Sequence, residues 1–326
     1  MKMKKIAVLT SGGDAPGMNA CIRAIVKASL HFELECIGIY DGFQGLIDRK
    51  SCSLDYADVN NVIQRGGTIL GTARSQEFRT EEGREKAINY LKELDVDGLI
   101  VIGGDGSFTG AKILGDEYDL PIIGIPGTID NDIYGTDHTI GYDTALNTVV
   151  DAVDKIRDTA SSHHRVFFVE VMGRDSGFIA LNAAIASGAE SVLIPEELTD
   201  IPKLAESIKT QNKGKRGSII IIAEGDDAGD AVTIMNKVKP YLPDYDLRCT
   251  ILGHIQRGGN PSAYDRIIAT RMGAKAVELI LEGVTNKMVG MQGDALVIGS
   301  IEDGIKKESS PDLSKLELLE QLRTKK

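Results

Sequence analysis

The sequence predicts an α/β protein built from two three-layer domains with mostly parallel sheets. Short apolar runs of strand length alternate with amphipathic helical segments along the 326-residue chain. This alternation is typical of parallel strands joined by right-handed helical crossovers. Apart from Lys5, the runs at residues 5–9, 98–102 and 121–125 are apolar, as expected for strands buried on both faces. A hydrophobic content of 42% and 36 glycines fit a compact fold with many tight turns.

The first half of the chain predicts the following elements in order. We expect strands at residues 5–9, 36–40, 99–102 and 122–125. We expect helices at residues 19–32, 58–64, 80–94, from 107 onward, and at 143–162. Thr80 followed by Glu81 and Glu82 is typical of a helix start. The helix at 143–162 carries a long apolar stripe, and we expect it to lead into the second domain.

The second half of the chain continues the same alternation. We expect strands at residues 166–171, 192–194, 218–223 and 248–252. We expect helices at residues 176–187, 202–211, 230–238 and 264–282. The tail at 306–326 is polar apart from Leu313, Leu316 and Leu319, which predicts a surface helix.

Composition indicates which binding partners and which cellular location to expect for the protein. The formal net charge of -11 argues against nucleic acid and against an anionic membrane surface. The four cysteines are scattered without metal-binding spacing, so we expect reduced thiols rather than a zinc site or disulfides. The first apolar run reaches glycine too soon for a signal peptide, and no run has the length of a membrane span. We therefore expect a cytoplasmic protein.

Three predicted strands are each followed by a loop rich in Gly and Asp. The loops are SGGD (residues 11–14), GGDGS (residues 103–107) and PGTIDND (residues 126–132). Because the carboxyl ends of parallel strands meet at one edge of a sheet, this pattern indicates a phosphate and metal site there. Glycines let backbone N–H groups approach a phosphate closely. For Gly12 and Gly13 alone, a plain tight turn is an equally good explanation.

Carboxylates in two of these loops are candidates for chemistry. Asp105 lies between glycines, where packing does not explain it, and Mg²⁺ prefers a few carboxylates together with phosphate oxygens. The alternative for Asp105 is an Asx turn. We assign Asp130 as a base for phosphoryl transfer and Asp132 as metal support. The alternative for that pair is a helix or turn cap.

Basic residues recur at predicted loops and strand ends. They are Arg74, Arg165, Arg174, Arg248, His254 and Arg257. Arginine pairs bidentately with phosphate oxygens, so the recurrence indicates phosphate capture, although each residue alone is more often a surface ion pair. Glu224, at a predicted strand end, is either an acceptor for a sugar hydroxyl or a solvated loop acid.

The motifs SGGDAPGMN, GGDGS, PGTIDND, VMGR and GHIQRGG, in this order, resemble the bacterial ATP-dependent 6-phosphofructokinases. The resemblance covers nearly the whole chain. It implies an allosteric glycolytic homotetramer that transfers the γ-phosphoryl group of MgATP to the 1-hydroxyl of fructose 6-phosphate. It also implies an ATP-binding domain at residues 1–141 plus 256–304 and a sugar-phosphate domain at residues 142–255 plus 305–326.

The resemblance assigns roles residue by residue. ATP-binding positions are Gly13, Arg74, Ser75, Gly104, Asp105, Gly106 and Ser107. Catalytic positions are Thr128, Asp130 and Arg174, and the metal positions are Asp105 and Asp132. Substrate positions are Thr128, Asp130, Asp132, Arg165, Met172, Gly173, Arg174, Glu224, Arg248, His254 and Arg257. Of these, Arg165 and Arg248 match arginines that reach the site from a neighbouring subunit.

An effector site is implied as well, with departures from the family pattern. The matching positions are Arg23, Lys27, Tyr56, Arg157, Glu190, Lys213 and Lys215. Lys27 and Tyr56 stand where arginines are usual, which predicts a weak or altered response to the usual activator ADP and inhibitor phosphoenolpyruvate. Near the adenine position, Ser75 and Gln76 follow Arg74 where an aromatic or Cys and then Pro often occur.

Three alternatives to this function have distinguishing features. Pyrophosphate-dependent relatives commonly carry Asp at the position of Gly106 and Lys at that of Gly127, so both glycines favour ATP. Nicotinamide-nucleotide and lipid kinases share the GGDG loop, but they lack the PGTIDND and GHIQRGG segments. A non-catalytic sugar-phosphate sensor would not be expected to retain both Asp105 and Asp130.

Overall fold

The computed structural model describes residues 4–163, 165–211, 217–307 and 309–322. The strands in this part of the chain are β1 (Lys5–Thr10), β2 (Glu35–Ile39), β3 (Ser51–Leu54), β4 (Gly98–Gly103), β5 (Ile122–Thr128), β6 (Ile140–Gly141), β7 (Arg165–Val171), β8 (Ser191–Leu193), β9 (Ser218–Ala223), β10 (Asp246–Ile251), β11 (Lys287–Gln292) and β12 (Ala295–Ser300). The helices are α1 (Met18–His31), α2 (Gly42–Ile47), α3 (Glu81–Glu93), α4 (Asp105–Tyr118), α5 (Tyr142–His163), α6 (Phe178–Ser187), α7 (Ile201–Gln211), α8 (Ala231–Val238), α9 (Ala263–Leu281), α10 (Ile301–Lys306) and α11 (Ser314–Leu322).

The chain folds into two compact units. Unit 1 comprises Met1–Ile129, Ile133–Thr144 and Arg257–Ser309, and unit 2 comprises Asp130–Asp132, Ala145–Gln256 and Ser310–Lys326. Helix α5 therefore begins in unit 1 and continues in unit 2. The assignment of ATP to one unit and sugar phosphate to the other remains part of the proposal below.

Unit 1 is organised around one sheet with the strand order β12-β11-β5-β4-β1-β2-β3, and β6 pairs with β5. The pairs β1–β2, β1–β4, β4–β5, β5–β6 and β5–β11 are parallel, whereas β2–β3 and β11–β12 are antiparallel. Every residue of β4 is buried, as expected for a central parallel strand covered on both faces. Helices α1 and α9 approach closely, because a Cβ on Gly273 would lie 2.8 Å from the carbonyl oxygen of Cys21.

Unit 2 has a smaller sheet with the order β10-β7-β9-β8, in which all described pairs are parallel. Its central strand β9 is the apolar run SIIIIA and is buried throughout. One core cluster packs helices α7 and α8 against this sheet, with Phe168, Ile220 and Ile222 among its buried members. The edge strand β10 is largely accessible, and its polar residues define one of the sites described below.

The α/β class and the mostly parallel sheets are confirmed, and most predicted elements agree with the structure to within two residues. Helix α4 begins at Asp105 rather than at residue 107, which places the Asp105 carboxylate in the first helical turn. In the tail, helix α11 confirms the predicted surface helix, and Leu319 is its buried contact.

The predicted helix at residues 58–64 is wrong. This segment forms turns, and Asn61 has a left-handed backbone with φ 53°, which an α-helix does not contain. Five further features were not predicted from the sequence: α2, β3, β6, α10 and the β11–β12 hairpin. The described residues contain no helix long and apolar enough to cross a membrane. Cys21 and Cys36 are buried, Cys52 and Cys249 are partly exposed, and none of the four forms a disulfide with another in the described residues.

Candidate active site

The carboxyl ends of β1, β4 and β5, where the three predicted loops begin, lie together because these strands are neighbours in the sheet of unit 1. A Cβ on Gly103 would lie 2.6 Å from the Ser11 carbonyl oxygen and 2.5 Å from Ser107 Oγ, so the loops after β1 and β4 are in contact. A Cβ on Gly104 would lie 3.6 Å from Thr128 Cβ, at the end of β5. The sheet thus brings the first residues of the three predicted loops to one edge.

The first turn of α4 is open to ligands. Asp105 and Gly106 are exposed, whereas Ser107 is buried. A Cβ added to Gly106 would have nothing within 4 Å. The partial positive charge of a helix N-terminus favours anions, and the adjacent Asp105 carboxylate favours a cation that bridges to them. The arrangement suits a phosphate that carries a metal ion.

Arg257 lies directly against the loop after β1. A Cβ on Gly13 would lie 1.9 Å from Arg257 Nη1, so only glycine leaves room for the guanidinium in this position. Arg257 Nε is buried and has no hydrogen-bond partner among the described residues. A guanidinium held at a glycine loop in this way can donate hydrogen bonds to an anionic ligand.

The segment around Arg74 also contacts the loop after β1. Thr72 Oγ1 donates to the Gly12 carbonyl at 2.7 Å, and Arg74 is exposed two residues later. Ser75 Oγ donates to Gln44 Oε1 at 2.7 Å and accepts from the Phe78 N–H at 3.1 Å. The Ser75 hydroxyl therefore organises its own loop in this structure.

In unit 2, Asp130 is paired with Arg174. Asp130 is 1% exposed, and its Oδ2 lies 3.2 Å from Arg174 Nε. Arg174 adopts a left-handed backbone with φ 52°, and its N–H donates to Glu224 Oε1 at 2.9 Å. Asn131 also has a left-handed backbone, with φ 56°, which turns the chain tightly between Asp130 and Asp132. The structure thus brings Asp130, Arg174 and Glu224 together.

A buried glutamine fixes the loop that carries Arg174. Gln256 Oε1 accepts from the Met172 N–H at 3.2 Å, and Gln256 Nε2 donates to the Gly253 carbonyl at 3.0 Å. Gln256 is fully buried, whereas the neighbouring His254 is exposed. Gly173 has a positive φ of 144°, and a Cβ there would lie 2.4 Å from the Ser176 carbonyl oxygen. This loop therefore has a defined shape that requires glycine at that position.

Arg165 and Arg248 meet at one carboxylate of unit 2. Arg165 Nε lies 2.8 Å from Asp246 Oδ2, and Arg248 Nε lies 3.0 Å from Asp246 Oδ1. The hydrogen bond from Arg165, aided by the charge of Arg248, lowers the pKa of Asp246 below its usual range despite some desolvation. The two arginines that the sequence analysis assigned to a neighbour's site are thus adjacent in this structure.

The predicted effector residues are only partly described. Lys27 Nζ donates to the Tyr56 hydroxyl at 2.9 Å and lies 4.1 Å from the centre of the Tyr56 ring. That hydrogen bond and the charges of Lys27 and Arg23 lower the pKa of Tyr56. Arg157 Nη1 lies 3.6 Å from Glu190 Oε1. Lys213 and Lys215 lie outside the described residues.

Two residues that help to build these sites were not predicted from the sequence. Asp246 forms the centre of the arginine pair, and Gln256 holds the Met172 loop. The spacing Asp246-x-Arg248 in a strand was a usable signal, because alternate residues of a strand share a face. The role of Gln256 had no such signal, since its contact spans 84 residues of sequence.

Comparison with known proteins places this geometry in a family. The family model described as "Phosphofructokinase" matches residues 5–280. The chain is 53% identical over 321 residues to "ATP-dependent 6-phosphofructokinase 2" of Bacteroides thetaiotaomicron, covering 98% of each chain. It is 54% identical over 289 residues to "ATP-dependent 6-phosphofructokinase 1" of Thermus thermophilus, covering 88% of this chain and 89% of the relative.

Solved structures agree with these matches. The chain superimposes on phosphofructokinase from Saccharomyces cerevisiae with a TM-score of 0.89 and 37% identity, and it covers 98% of this chain and 47% of that longer one. A pyrophosphate-dependent phosphofructokinase from Marinobacter aquaeolei has a TM-score of 0.85 at 20% identity and covers 96% of this chain and 86% of that one, a likeness in fold alone. The Gly-rich loops and the buried Asp130–Arg174 pair agree with these matches, and the matches show that the chain belongs to the phosphofructokinase family.

Proposed function

We propose that this chain is an ATP-dependent 6-phosphofructokinase, which phosphorylates the 1-hydroxyl of fructose 6-phosphate to give fructose 1,6-bisphosphate and ADP in the committed step of glycolysis. The observation that carries the proposal is the buried Asp130 carboxylate held 3.2 Å from the Arg174 guanidinium. Arg174 has a left-handed backbone, which is energetically unfavourable for a non-glycine residue. Such a conformation is more typical of a functional site than of a purely structural ion pair.

The chemistry requires a base, positive charge and correct positioning. Asp130 accepts the proton of the attacking 1-hydroxyl, as the catalytic aspartate of other kinases does. Arg174 stabilises the charge on the transferring phosphoryl group, and Thr128 positions the reacting groups. Glu224 accepts a hydrogen bond from a sugar hydroxyl and also fixes Arg174 through its backbone N–H. The remaining substrate contacts are assigned to Asp132, Met172, Gly173, His254 and Arg257.

The nucleotide is assigned to the loops of unit 1. Its phosphates fit the Gly104–Ser107 turn, where the space beside Gly106 is empty to 4 Å. Gly13 and Arg74 provide further contacts to the nucleotide. A lysine in place of Gly127 would crowd Ile102 Cγ2 and Met18 Cε, which lie 3.0 Å and 3.2 Å from a Cβ built there. Both positions favour ATP over pyrophosphate as the donor.

The metal assignment fits the residues present. The described residues contain no group of three or more His, Cys, Asp or Glu that could hold a metal ion by themselves. Mg²⁺ commonly uses only one or two carboxylates and takes its other ligands from phosphates and water. Exposed Asp105 in the first turn of α4 suits that role, and Asp132 supports it. Bound Mg²⁺ would neutralise charge on the nucleotide phosphates.

We further propose a cytoplasmic homotetramer in which Arg165 and Arg248 serve the site of a neighbouring subunit. The effector site would respond weakly, because the Lys27 ammonium is engaged by the neutral Tyr56 hydroxyl, where the family usually carries two arginines. Saturation curves with fructose 6-phosphate, measured with ADP and with phosphoenolpyruvate, test this. A strong shift at micromolar effector would contradict it.

One assay tests the reaction itself. The full-length protein is incubated with fructose 6-phosphate, Mg²⁺ and either ATP or pyrophosphate, and fructose 1,6-bisphosphate is measured. We expect product with ATP and little with pyrophosphate. Product with pyrophosphate alone would reassign the donor. Binding of fructose 6-phosphate without product from either donor would instead identify a sensor.

A further inference from the structure

We propose that Asp246 is a positioning residue that holds Arg165 and Arg248 as a single pre-oriented pair for the phosphate group of the sugar substrate. This inference rests on the proposed function, which assigns both arginines to that phosphate. Asp246 itself would not touch the substrate.

Sheet geometry places the three side chains together. In the parallel pairing of β10 with β7, Asp246 is the direct partner of Arg165. Arg248 follows Asp246 by two residues in β10, so both side chains point to the same face of the sheet. The strand register therefore places one carboxylate between two guanidinium groups.

Both carboxylate oxygens of Asp246 contact arginine nitrogens. Asp246 Oδ2 accepts from Arg165 Nε at 2.8 Å and from Arg248 Nη2 at 3.2 Å, and Asp246 Oδ1 lies 3.0 Å from Arg248 Nε. Arg165 uses only its inner Nε in this bond, so its two terminal nitrogens remain for a second acceptor. Arg248 likewise keeps its Nη1 for another acceptor, because Asp246 engages its Nε and Nη2.

Charge explains why such a carboxylate would help rather than compete. Two adjacent guanidinium groups repel each other, and long arginine side chains lose conformational freedom when a ligand orders them. Asp246 offsets the repulsion and orders both side chains before the substrate arrives. The group of three still carries one net positive charge toward an anionic ligand. The arginine and aspartate side chains are 27%, 52% and 43% exposed for Arg165, Arg248 and Asp246, so a ligand has access to them.

The test measures fructose 6-phosphate affinity, by equilibrium binding and by kinetics, in Asp246→Asn, Asp246→Glu and the surface control Asp244→Asn. Because two arginines must then be ordered by the substrate, we expect Asp246→Asn to weaken fructose 6-phosphate binding by about three- to thirty-fold. We expect kcat and the KM for ATP to stay within about twofold, since Asp246 is assigned no contact with the nucleotide. Asp246→Glu keeps the charge and should restore most of the affinity, and Asp244→Asn should match wild type.

A double-mutant cycle separates positioning from other roles. In an Arg165→Ala, Arg248→Ala background, Asp246→Asn should have little further effect, because the groups it positions are gone. An undiminished effect in that background would overturn the proposal, as would unchanged or tighter sugar binding in Asp246→Asn alone. If the double arginine variant binds fructose 6-phosphate as wild type does, the arginine assignment fails, and the role of Asp246 fails with it. Thermal unfolding of each variant identifies a loss that is merely structural.

Discussion

At the residue scale, the site depends on groups held in unusual surroundings. Asp130 is almost completely buried beside Arg174, and the left-handed backbone of Arg174 fixes that partner. At Gly13, the guanidinium of Arg257 occupies the space that a side chain would need. Each of these two residues contacts a side chain that is distant in sequence. A substitution at Asp130 or Gly13 should therefore have a specific effect on that contact.

Replacement of the base should remove chemistry and spare binding. We expect Asp130→Ser to lower kcat by about 10²–10⁴, the range for a lost general base, while the KM for fructose 6-phosphate changes little. Steady-state kinetics with both substrates measures this. Asp154→Asn, which removes an exposed carboxylate of α5, is the matched control. An Asp130→Ser enzyme with near wild-type kcat would show that another group accepts the proton.

Addition of one methyl group to Gly13 should displace Arg257. The new Cβ would lie 1.9 Å from Arg257 Nη1, and the guanidinium is the flexible partner that must move. We therefore expect Gly13→Ala to unfold at nearly the wild-type temperature but to lose about tenfold or more in kcat/KM, equivalent to about 1.4 kcal/mol or more of transition-state stabilisation.

Gly299→Ala provides the control, because its Cβ would make only an ordinary 3.5 Å contact with Met288 Cε. It should retain wild-type kinetics. If Gly13→Ala keeps full activity, the position of Arg257 against Gly13 is not required for catalysis.

At the element scale, the strands that build the site were predictable and several others were not. The central strands β1, β4 and β5 are apolar except at Lys5, Thr10 and Thr128, so the sequence pattern predicts them directly. Strand β3 has the sequence SCSL and gains its stability from pairing with β2 rather than from its own apolar content. The β11–β12 hairpin contains Gly290 and Gly299 and one half-exposed strand, which weakens the alternation of apolar and polar residues.

In the candidate site, too, some features were predictable from the sequence and others were not. The loops after β1, β4 and β5 could be brought together from sequence alone, because parallel strands end at one edge. The contacts of Asp246 and Gln256 could not, since they depend on strand register and on a side chain that reaches across a loop.

A buried carboxylate ties together three elements of unit 1. Asp265, in the first turn of α9, accepts from the Gly141 N–H at 2.8 Å, the Thr144 N–H at 2.8 Å and Thr144 Oγ1. Desolvation raises the pKa of Asp265 to about 6, against the opposing effect of these hydrogen bonds. The network fixes the start of α5 to α9, and it makes a prediction about stability and pH.

The raised pKa means that the folded state binds a proton on Asp265 more tightly than the unfolded state does. The resulting stabilisation is complete below pH 3.8 and is lost as pH rises through about 6. In Asp265→Asn, an amide N–H₂ group replaces one acceptor and leaves a buried donor unsatisfied, which costs about 1–3 kcal/mol.

We therefore expect the wild-type protein to exceed Asp265→Asn in unfolding free energy, and the gap to shrink by about 1 kcal/mol between pH 5 and pH 7. Denaturant titration at several pH values measures it. Asp303→Asn, which removes a half-exposed carboxylate of α10, should show no such pH-dependent gap. A gap that grows with pH would mean that the hydrogen bonds outweigh desolvation and that Asp265 is ionised in the fold.

At the scale of the whole molecule, the residues of the proposed site belong to both compact units. The Gly-rich loops with Asp105 belong to unit 1, whereas Asp130, Arg174 and the Arg165–Arg248 pair belong to unit 2. The arginine pair lies on the edge strand β10 and its neighbour β7, with accessible side chains. An accessible pair of cations at a sheet edge is well placed to serve a second copy of the chain, which is the arrangement that the family resemblance implies.

Subunit mixing tests that arrangement. If Arg248 serves a neighbour's site, then Arg248→Ala and Asp130→Ser chains are defective in different halves of one shared site. After the two inactive proteins are dissociated, mixed in equal amounts and reassembled, random pairing should restore about a quarter of the sites, because half of the pairs are hybrids and each hybrid has one intact site. Activity should rise well above that of either protein alone. The matched control mixes Asp130→Ser with Asp130→Asn chains, which share the same defect and should recover nothing. If native-mass measurements show that hybrids form and activity still does not return, each subunit builds its site from its own arginines.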